Sequence, residues 1–310
     1  MKKASVQIPA TSANLGPGFD VLGVALKLYN RIFMEADSPW TSRRIVPSLT
    51  VEVSGEGAGS LPRNRSNLAV KAAYRVFDLL KQWPNGLHVR LVNHIPLSRG
   101  LGSSAAATLG GMAAANRLAG NRLSDQELLD LAVRMEGHPD NIVPAMMGGF
   151  CVSGLFHGKT YSMKLPAPAG LRAVVCSPEK ALSTLQSRRV LPGRVAFAAA
   201  VFTSSRVAFF LGAIFQKRYD WLGFAMDDVL HQPARARLIP GLLDVIGAAR
   251  KAGAWGCALS GAGSSVIALC PPGPKAGRVG AAMQKAFAAR GIASRWSELL
   301  FDNAGLKARS

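Results

Sequence analysis

At residues 96–107 the chain reads Pro96-Leu97-Ser98-Arg99-Gly100-Leu101-Gly102-Ser103-Ser104-Ala105-Ala106-Ala107, a glycine-rich segment between two regular patterns. Before it, apolar side chains at Leu87, Val89 and Leu91 alternate with polar ones, which predicts a half-buried strand. After it, the segment from Ala105 to Leu118 is rich in Ala, Leu and Met, which predicts a helix. The sequence therefore predicts a strand that enters a glycine-rich loop, and a loop that opens a helix.

The glycine-rich loop is suited to hold an anion. Gly100 and Gly102 let the backbone approach a ligand closely, and the first N–H groups of a helix point outward at the positive end of its dipole. Ser103 and Ser104 can cap the helix, hold a phosphate oxygen or reach a bound cation. The loop lacks both the Gly-Lys-Ser/Thr ending of a P-loop and the third glycine of the dinucleotide fingerprint. From these residues alone, a phosphate loop and an ordinary tight turn both stay open.

Length and composition favour two globular domains in a reducing compartment. The 310 residues exceed what one core usually holds, and 49% of them are hydrophobic. The first nine residues lack the apolar segment of a signal peptide. The cysteines are far apart and form no CxxC pair: Cys151, Cys176, Cys257 and Cys270. We therefore expect a cytoplasmic protein without a disulfide framework.

Two features invite other interpretations. The segment from Val195 to Phe215 is almost continuously apolar, but Arg206 lies in its middle, so we expect a buried helix of a soluble domain and no membrane partner. The net charge of +19 suits polyanionic partners such as ATP, nucleic acid or a membrane surface. The basic residues are scattered, which favours a generally basic surface over a dedicated nucleic-acid site.

Near the N-terminus, Ser5 to Ile8 predicts a short strand, and Pro9 to Gly23 predicts a shaped loop. The loop prediction rests on two Pro and three Gly among mostly small residues. Asn14 and Asp20 are the polar side chains that this loop presents to a ligand. In the alternative interpretation, Asn14 supplies a turn and Asp20 caps a helix.

A second polar turn follows a predicted helix. Ser124-Asp125-Gln126-Glu127 forms a capping box that starts a helix ending near Met135. Glu136, Asp140 and Asn141 lie in the turn that follows this helix. Their oxygen atoms could bind a Mg²⁺ ion or orient a hydroxyl group. His138 is interpreted as a turn residue, because no second His lies at metal-ligand spacing.

Three loops resemble the motifs of the GHMP small-molecule kinases. They are residues 9–22, residues 96–107 and Leu259-Ser260-Gly261-Ala262-Gly263-Ser264-Ser265. Within that superfamily, four segments resemble homoserine kinases in particular: residues 9–22, residues 136–149, residues 182–192, and His231-Gln232-Pro233-Ala234-Arg235 with Ile239-Pro240. The matching segments occur in the same order from about residue 5 to residue 270. Several independent motifs in order are far more specific than the glycine loop alone.

The resemblance implies a fold, a reaction and an assembly. The fold is α+β with two domains: an N-terminal domain like the second domain of ribosomal protein S5 (residues 1–165) and a ferredoxin-like C-terminal domain (residues 166–310). The reaction is Mg²⁺-dependent transfer of the γ-phosphoryl group of ATP to the side-chain hydroxyl of L-homoserine, a step in threonine biosynthesis. The implied assembly is a homodimer.

The resemblance also implies site residues. Asn67 would lie near the adenine, and the ATP-binding loop would comprise Pro96, Leu97, Ser98, Arg99, Gly100, Leu101, Gly102, Ser103, Ser104, Ala105 and Ala106. Ser104 and Glu136 would bind Mg²⁺. Homoserine would be bound by Asn14, Asp20, Asp140, Asn141, Thr184, Arg188, Arg235 and Gly261. The catalytic group would comprise Glu136, Asp140, Asn141 and Arg188.

The chemistry of these residues agrees with those roles. Arg188 and Arg235 suit a carboxylate or phosphate through bidentate contacts. Asp20 or Asp140 suits the ammonium group of an amino acid. Phosphoryl transfer needs mainly positioning and charge neutralisation, so no strong base is required. Asn141 cannot accept a proton at neutral pH, and we expect it to orient the hydroxyl.

The C-terminal half contains further strands and helices. We predict a strand at Leu171 to Cys176, a helix at Glu179 to Arg189 and a frayed tail from Asn303 to Ser310. In the third motif Ser264 stands where the family usually has Pro, and we expect it to loosen that loop slightly.

Two alternative functions stay open. One is a GHMP kinase for another alcohol such as mevalonate, against which Asn141 and the Arg188/Arg235 pair argue. The other is a nucleic-acid-binding protein on the same scaffold, which a steep salt dependence of binding would reveal.

Overall fold

A computed structural model describes residues 1–43 and 47–309, which form strands and helices in alternation. The strands are β1 (Lys2–Asn14), β2 (Gly18–Ala36), β3 (Trp40–Thr41), β4 (Ser48–Gly55), β5 (Trp83–Pro84), β6 (Gly86–Asn93), β7 (Phe150–Phe156), β8 (Lys159–Leu165), β9 (Arg172–Pro178), β10 (Gly256–Leu259), β11 (Val266–Cys270), β12 (Ser294–Leu299) and β13 (Lys307–Arg309). The helices are α1 (Leu68–Leu80), α2 (Ser103–Leu118), α3 (Asp125–Glu136), α4 (Ile142–Met147), α5 (Thr184–Arg189), α6 (Phe197–Phe215), α7 (Leu222–Ala225), α8 (Gln232–Ala236), α9 (Leu242–Lys251) and α10 (Pro274–Ala288).

The N-terminal half forms a seven-stranded sheet in the order β13-β1-β2-β6-β4, with the β7–β8 hairpin paired to β2. The alternation predicted for β6 is confirmed, since Leu87, Val89 and Leu91 are buried while His88 and Arg90 are exposed. The predicted helix after the glycine loop is confirmed as α2, which packs against both α1 and β1. Twelve residues of α2 are buried, so this helix fixes the glycine loop firmly to the core.

The C-terminal half forms a four-stranded antiparallel sheet in the order β10-β11-β9-β12. Helices α9 and α10 pack on this sheet, and Val245, Met283 and Phe287 lie in the shared core. Two sheets, each covered by helices, confirm the predicted α+β class.

Residues 9–23, predicted to be a loop, are mostly β-strand. β1 continues through the predicted short strand at Ser5 to Ile8 and ends at Asn14, and β2 begins at Gly18. The pairing of β1 with β2 shifts register between Pro9 and Ala10, and such an irregularity accommodates a residue without an N–H donor. Only residues 15–17 form a tight turn. Asn14 lies at the end of β1, and Asp20 lies near the start of β2.

Helix α6, predicted to be buried, lies largely on the surface. Phe197 is 86% exposed and Phe215 is 78% exposed. Its length and hydropathy would allow it to cross a bilayer, a property that no other helix in the described ranges shares. Composition predicted the helix but could not distinguish a core helix from one with an exposed apolar face. The buried residues of α6 are Thr203, Phe210, Ala213 and Ile214.

The helix predicted from Glu179 begins only at Thr184 as α5. Ser183 is its N-cap and accepts a hydrogen bond from the backbone N–H of Gln186. The residues before this cap are bonded elsewhere, since the Lys180 carbonyl accepts a hydrogen bond from the Ser264 hydroxyl. The cap and these contacts hold residues 179–183 outside the helix.

The C-terminal tail, predicted to be frayed, is ordered. β13 pairs with β1, with Ser5 opposite Arg309, and the Asn303 side chain bonds the backbone of Ala167. Ser310 lies outside the described residues. The predicted boundary between the two domains, at residues 165 and 166, stays a prediction. It assigns β13 to the C-terminal domain, although this strand pairs with β1 in the first sheet.

Candidate active site

A cavity of about 270 Å³ lies where the glycine loop faces the C-terminal half. Most of the predicted site residues line it, although Ala105 and Ala106 are fully buried in the core and Pro96 is not part of the wall. The predicted residues that line the cavity are Asn14, Asp20, Asn67, Leu97, Ser98, Arg99, Gly100, Leu101, Gly102, Ser103, Ser104, Glu136, Asp140, Asn141, Thr184, Arg188, Arg235 and Gly261.

The glycine loop approaches its neighbours too closely for side chains. Gly102 is the N-cap of α2 with φ of +70°, and a Cβ there would lie 2.0 Å from the Thr11 hydroxyl oxygen. A Cβ on Gly100 would lie 2.0 Å from the Ser260 carbonyl oxygen. No side chain caps α2, so the first N–H groups of this helix stay available and Ser103 and Ser104 both line the cavity. This arrangement fits a phosphate group better than an ordinary tight turn.

The third motif packs beneath the glycine loop and joins the two halves of the chain. The Ser260 hydroxyl donates to the Gly100 carbonyl at 2.7 Å, and the Ser265 N–H donates to the Arg99 carbonyl at 3.0 Å. The Gly261 N–H donates to the Ala13 carbonyl at 3.0 Å. Hydrogen bonds thus cross the floor of the cavity.

Ser104 and Glu136 lie together although they are 32 residues apart. The Ser104 hydroxyl donates to Glu136 Oε2 at 3.0 Å, and the Thr108 hydroxyl lies 3.5 Å from the same oxygen. Mg²⁺ prefers hard oxygen ligands and usually takes one or two from protein beside phosphate oxygens. The donor set at the phosphate end therefore fits this ion.

His138, interpreted from the sequence as a turn residue, is part of the cavity wall. Its Nδ1 lies 2.7 Å from Asp140 Oδ1, and the ligand atoms of Asp20, His138 and Asp140 lie within 4.8 Å of one another. Burial lowers the pKa of His138, but the hydrogen bond and charge of Asp140 and the charge of Glu136 outweigh it and raise the pKa overall. The sequence signal was the spacing of His138 two residues before an acidic residue.

Asn141 is fixed by a residue that the sequence did not indicate. The Thr11 hydroxyl donates to Asn141 Oδ1 at 2.8 Å, and Asn141 Nδ2 lies 3.4 Å from Asp140 Oδ1. The amide nitrogen retains a second N–H for a ligand. Thr11 lies on β1, beneath Gly102, and nothing in the sequence marked it out.

Arg188 and Asp20 form a bidentate ion pair with N···O distances of 3.0 and 2.7 Å. Burial lowers the pKa of Arg188, but the hydrogen bonds and charge of Asp20 raise it above its usual range. The Asp20 N–H donates to Asn14 Oδ1, and Asn14 Nδ2 donates to the Gly261 carbonyl. Asn14, Asp20, Arg188 and Gly261 are therefore one connected group.

Arg235 lies beside this group but is only 1% exposed. Its guanidinium carbon lies 5.2 Å from the centroid of the Phe19 ring, and that of Arg188 lies 5.4 Å from the same centroid. Burial, together with the charge of Arg188, lowers the pKa of Arg235 to about 10. Phe19 was not predicted as a site residue, yet it contacts both arginines.

Asn67 already has a structural role. Its Oδ1 accepts from the Ala69 N–H at 3.0 Å as the N-cap of α1, and its Nδ2 donates to the Pro62 carbonyl at 2.9 Å. Thr184 begins α5 one turn before Arg188, which confirms that these two residues share one helix.

Comparisons with known proteins agree with this geometry. Residues 67–149 match the family described as GHMP kinases N terminal domain, and residues 210–289 match the GHMP kinases C terminal family. The homoserine kinase of Carboxydothermus hydrogenoformans is 47% identical over 273 residues, covering 88% of this chain and 87% of that protein. The chain belongs to the homoserine kinase family.

Two further homoserine kinases support this family assignment. That of Moorella thermoacetica is 43% identical over 300 residues, covering 97% of this chain and 98% of that protein. The crystal structure of homoserine kinase from Cytophaga hutchinsonii ATCC 33406 has a TM-score of 0.88 and 32% identity, covering 100% of this chain and 98% of that chain. The predicted family and fold are thereby confirmed.

Proposed function

We propose that this cavity transfers the γ-phosphoryl group of ATP to the side-chain hydroxyl of L-homoserine, giving O-phospho-L-homoserine in threonine biosynthesis. The observation that carries the proposal is one cavity in which a phosphate loop faces two arginines and two aspartates suited to a free amino acid. Family membership supports the substrate, since the similar proteins are named homoserine kinases. The chain is accordingly an enzyme, a phosphotransferase with an alcohol group as acceptor.

At the phosphate end, the backbone of the glycine loop holds the ATP phosphates. Gly100 and Gly102 permit the close approach, and the start of α2 supplies N–H donors and the positive end of its dipole. Ser104 and Glu136 would hold Mg²⁺, and the ion would neutralise phosphate charge there. Asn67 lines the adenine side and keeps its capping role.

At the amino-acid end, side chains orient homoserine. Arg188 and Arg235 bind the carboxylate, and Asp20 and Asp140 bind the ammonium group. Asn141 donates its second amide N–H to the substrate hydroxyl, because Thr11 holds its oxygen. Phosphoryl transfer has a loose transition state, so positioning the hydroxyl matters more than removing its proton.

A substrate panel tests the function. ADP release from Mg-ATP is measured with L-homoserine, L-serine, L-threonine and mevalonate side by side. We expect turnover with homoserine alone. Turnover with mevalonate instead would overturn the assignments of Arg188 and Arg235 while leaving the phosphate end intact.

The proposed metal site has its own test. Glu136→Gln is expected to raise the Mg²⁺ concentration needed for half-maximal rate by at least about tenfold, since a neutral amide is a poorer ligand than a carboxylate. Glu127→Gln is the matched control, because Glu127 lies on the same helix and Gln also supports its capping box. Equal Mg²⁺ requirements in both variants would exclude Glu136 as a ligand.

The protein also acts as a cytoplasmic homodimer in this proposal, with α6 as the contact surface. Phe197 and Phe215 at its two ends are 86% and 78% exposed, while Ser204 and Ala208 near its middle are small and exposed. Two such rings alone present roughly 300 Å² of apolar surface, a substantial part of the 800 Å² or so per partner in a standard interface. The small side chains of Ser204 and Ala208 between the two rings would let two antiparallel copies of α6 approach closely about a two-fold axis.

Sedimentation velocity tests the homodimer. Phe197→Glu is expected to shift the protein to a monomer. Phe156→Glu, at the exposed end of β7, serves as a control that leaves the dimer intact. A monomeric wild-type protein would contradict the proposal.

A further inference from the structure

The hydrogen-bond donors of Arg235 are divided between the protein and the cavity. Its Nε donates to the Ser187 carbonyl at 3.3 Å, and its Nη1 donates to the Gly261 carbonyl at 3.0 Å. Nη1 also lies 3.2 Å from His231 Nδ1. Within the described residues, Nη2 has no protein acceptor, so its two N–H groups stay available to a ligand of the cavity.

The tautomer of His231 follows from its other contact. Its Nε2 lies 2.7 Å from the Gly16 carbonyl oxygen, which can only accept, so Nε2 carries the proton. In the neutral ring Nδ1 is then an acceptor for Arg235 Nη1. A protonated ring would instead direct an N–H at the guanidinium. Burial and the charge of Arg235 lower the pKa of His231 against the opposing charge of Asp228, which keeps the ring neutral.

The imidazole of His231 is held on several sides. Asp228, whose side chain is fully buried, accepts from the backbone N–H groups of His231 and Gln232 at 3.0 and 2.7 Å. The Phe19 ring contacts the imidazole at 5.4 Å between centroids. Gly16 packs closely against the residue that follows α7, since a Cβ on it would lie 2.4 Å from the Met226 carbonyl oxygen. The ring is therefore a rigid support rather than a mobile side chain.

We propose that His231 is a positioning residue for substrate binding: its neutral imidazole accepts from Arg235 Nη1 and thereby turns Nη2 toward the substrate carboxylate. Without this acceptor, only the Ser187 and Gly261 carbonyls would hold the guanidinium, and the direction of Nη2 would be less completely fixed. The inference rests on the proposed role of Arg235 in binding the homoserine carboxylate.

Two variants separate the two hydrogen bonds of the ring. His231→Asn places an amide oxygen near the position of Nδ1 and preserves an acceptor for Arg235. His231→Gln places an amide nitrogen near the position of Nε2 and preserves the donor to Gly16. Each variant keeps one of the two hydrogen bonds, so the urea midpoints of unfolding should fall by similar amounts.

Steady-state kinetics then decide the proposal. We expect His231→Gln to raise KM for homoserine at least about tenfold, the size of one lost hydrogen bond to a charged group, while KM for ATP stays within about twofold. His231→Asn should restore most of the homoserine affinity. Equal changes in both variants, or parallel changes in both KM values, would show a merely structural role and overturn the inference.

Arg235→Lys distinguishes this failure from failure of the underlying role. A selective rise in KM for homoserine in Arg235→Lys without one in His231→Gln would refute the positioning role alone. No selective rise in Arg235→Lys would refute the carboxylate-binding role of Arg235 itself.

If neither His231 variant folds, Asp228→Asn is used to test the positioning role instead. It loosens the start of α8, which bears both His231 and Arg235, and it should raise KM for homoserine severalfold without changing KM for ATP. Unchanged KM for homoserine in this variant would count against the proposal.

Discussion

The phosphate end and the amino-acid end of the cavity are built in different ways. The phosphate end uses mainly backbone from one contiguous stretch, in which Gly100 and Gly102 replace any side chain. The amino-acid end uses side chains from distant segments, such as Asp20, Asp140 and Arg235. Each is held by a hydrogen bond to its own partner: Arg188, His138 and the Gly261 carbonyl, respectively. A site made of backbone depends on the absence of side-chain volume, whereas a site made of side chains depends on a network of partners.

The strongest test of this difference is Gly102→Ala. The new Cβ would meet the Thr11 hydroxyl at 2.0 Å and occupy a left-handed backbone conformation. We expect kcat/KM for ATP to fall about 100-fold, since both strain and displacement of the loop oppose phosphate binding. Gly120→Ala is the control, because Gly120 also has a left-handed φ but its Cβ would meet nothing within 4 Å. Similar losses in both variants would mean that a strained backbone destabilises the whole protein, and the close approach at Gly102 would then not explain the loss.

A smaller effect is expected at the amino-acid end from Asp20→Asn. This change weakens the bidentate contact with Arg188, and both side chains are about one-third exposed, so solvent screens part of the interaction. We expect KM for homoserine to rise about tenfold with little change in KM for ATP. The surface pair of Asp244 with Arg290 supplies the control, and Asp244→Asn should leave both constants unchanged. A rise in KM for ATP instead would mean that the two ends are not separable.

The same division explains what the sequence could and could not predict. The glycine loop and the capping box at Ser124 depend on neighbours within a few residues, and the structure confirms both as local elements. Thr11, Phe19 and His231 lie within the quoted motifs, but their roles depend on contacts across more than one hundred residues, which no local pattern specifies.

Misinterpreted elements have the same cause. The strand pairing that overrides the Pro and Gly of residues 9–23 is tertiary, and so is the pairing of β13 with β1. Hydropathy identified α6 as apolar, but exposure depends on what packs against a helix rather than on its composition. The resemblance to a family supplied the site residues that physical patterns alone could not.

A smaller effect is expected at His138, in the pH dependence of the free energy of unfolding. Its pKa is raised in the folded protein, so its contact with Asp140 stabilises the fold fully below the ordinary histidine pKa of about 6.5, and this contribution is lost as pH rises through the raised value. His138→Asn should lower the free energy of unfolding by about 1 kcal/mol at low pH and by less at high pH. Urea unfolding at several pH values measures this, with His157→Asn in the exposed β7–β8 turn as control. A difference independent of pH would contradict the ion pair.

The smallest effect is expected from Ser264→Ala in the third motif. The Ser264 hydroxyl donates to the Lys180 carbonyl at 2.7 Å, a hydrogen bond that the proline usual in the family could not make. Its loss should lower the free energy of unfolding by about 1 kcal/mol without changing either KM. Calorimetry of the variant beside wild type measures this, and a change in KM would assign Ser264 to the substrate network.

The hydrogen bonds that cross the cavity floor also affect how the whole chain melts. Ser260 and Ser265 bond the glycine loop, and Gly261 bonds β1, so neither half can unfold without leaving buried partners of the other half unsatisfied. We therefore expect the two halves to unfold together on heating, as one cooperative transition in calorimetry. A ligand that binds at either end would stabilise both halves against heat.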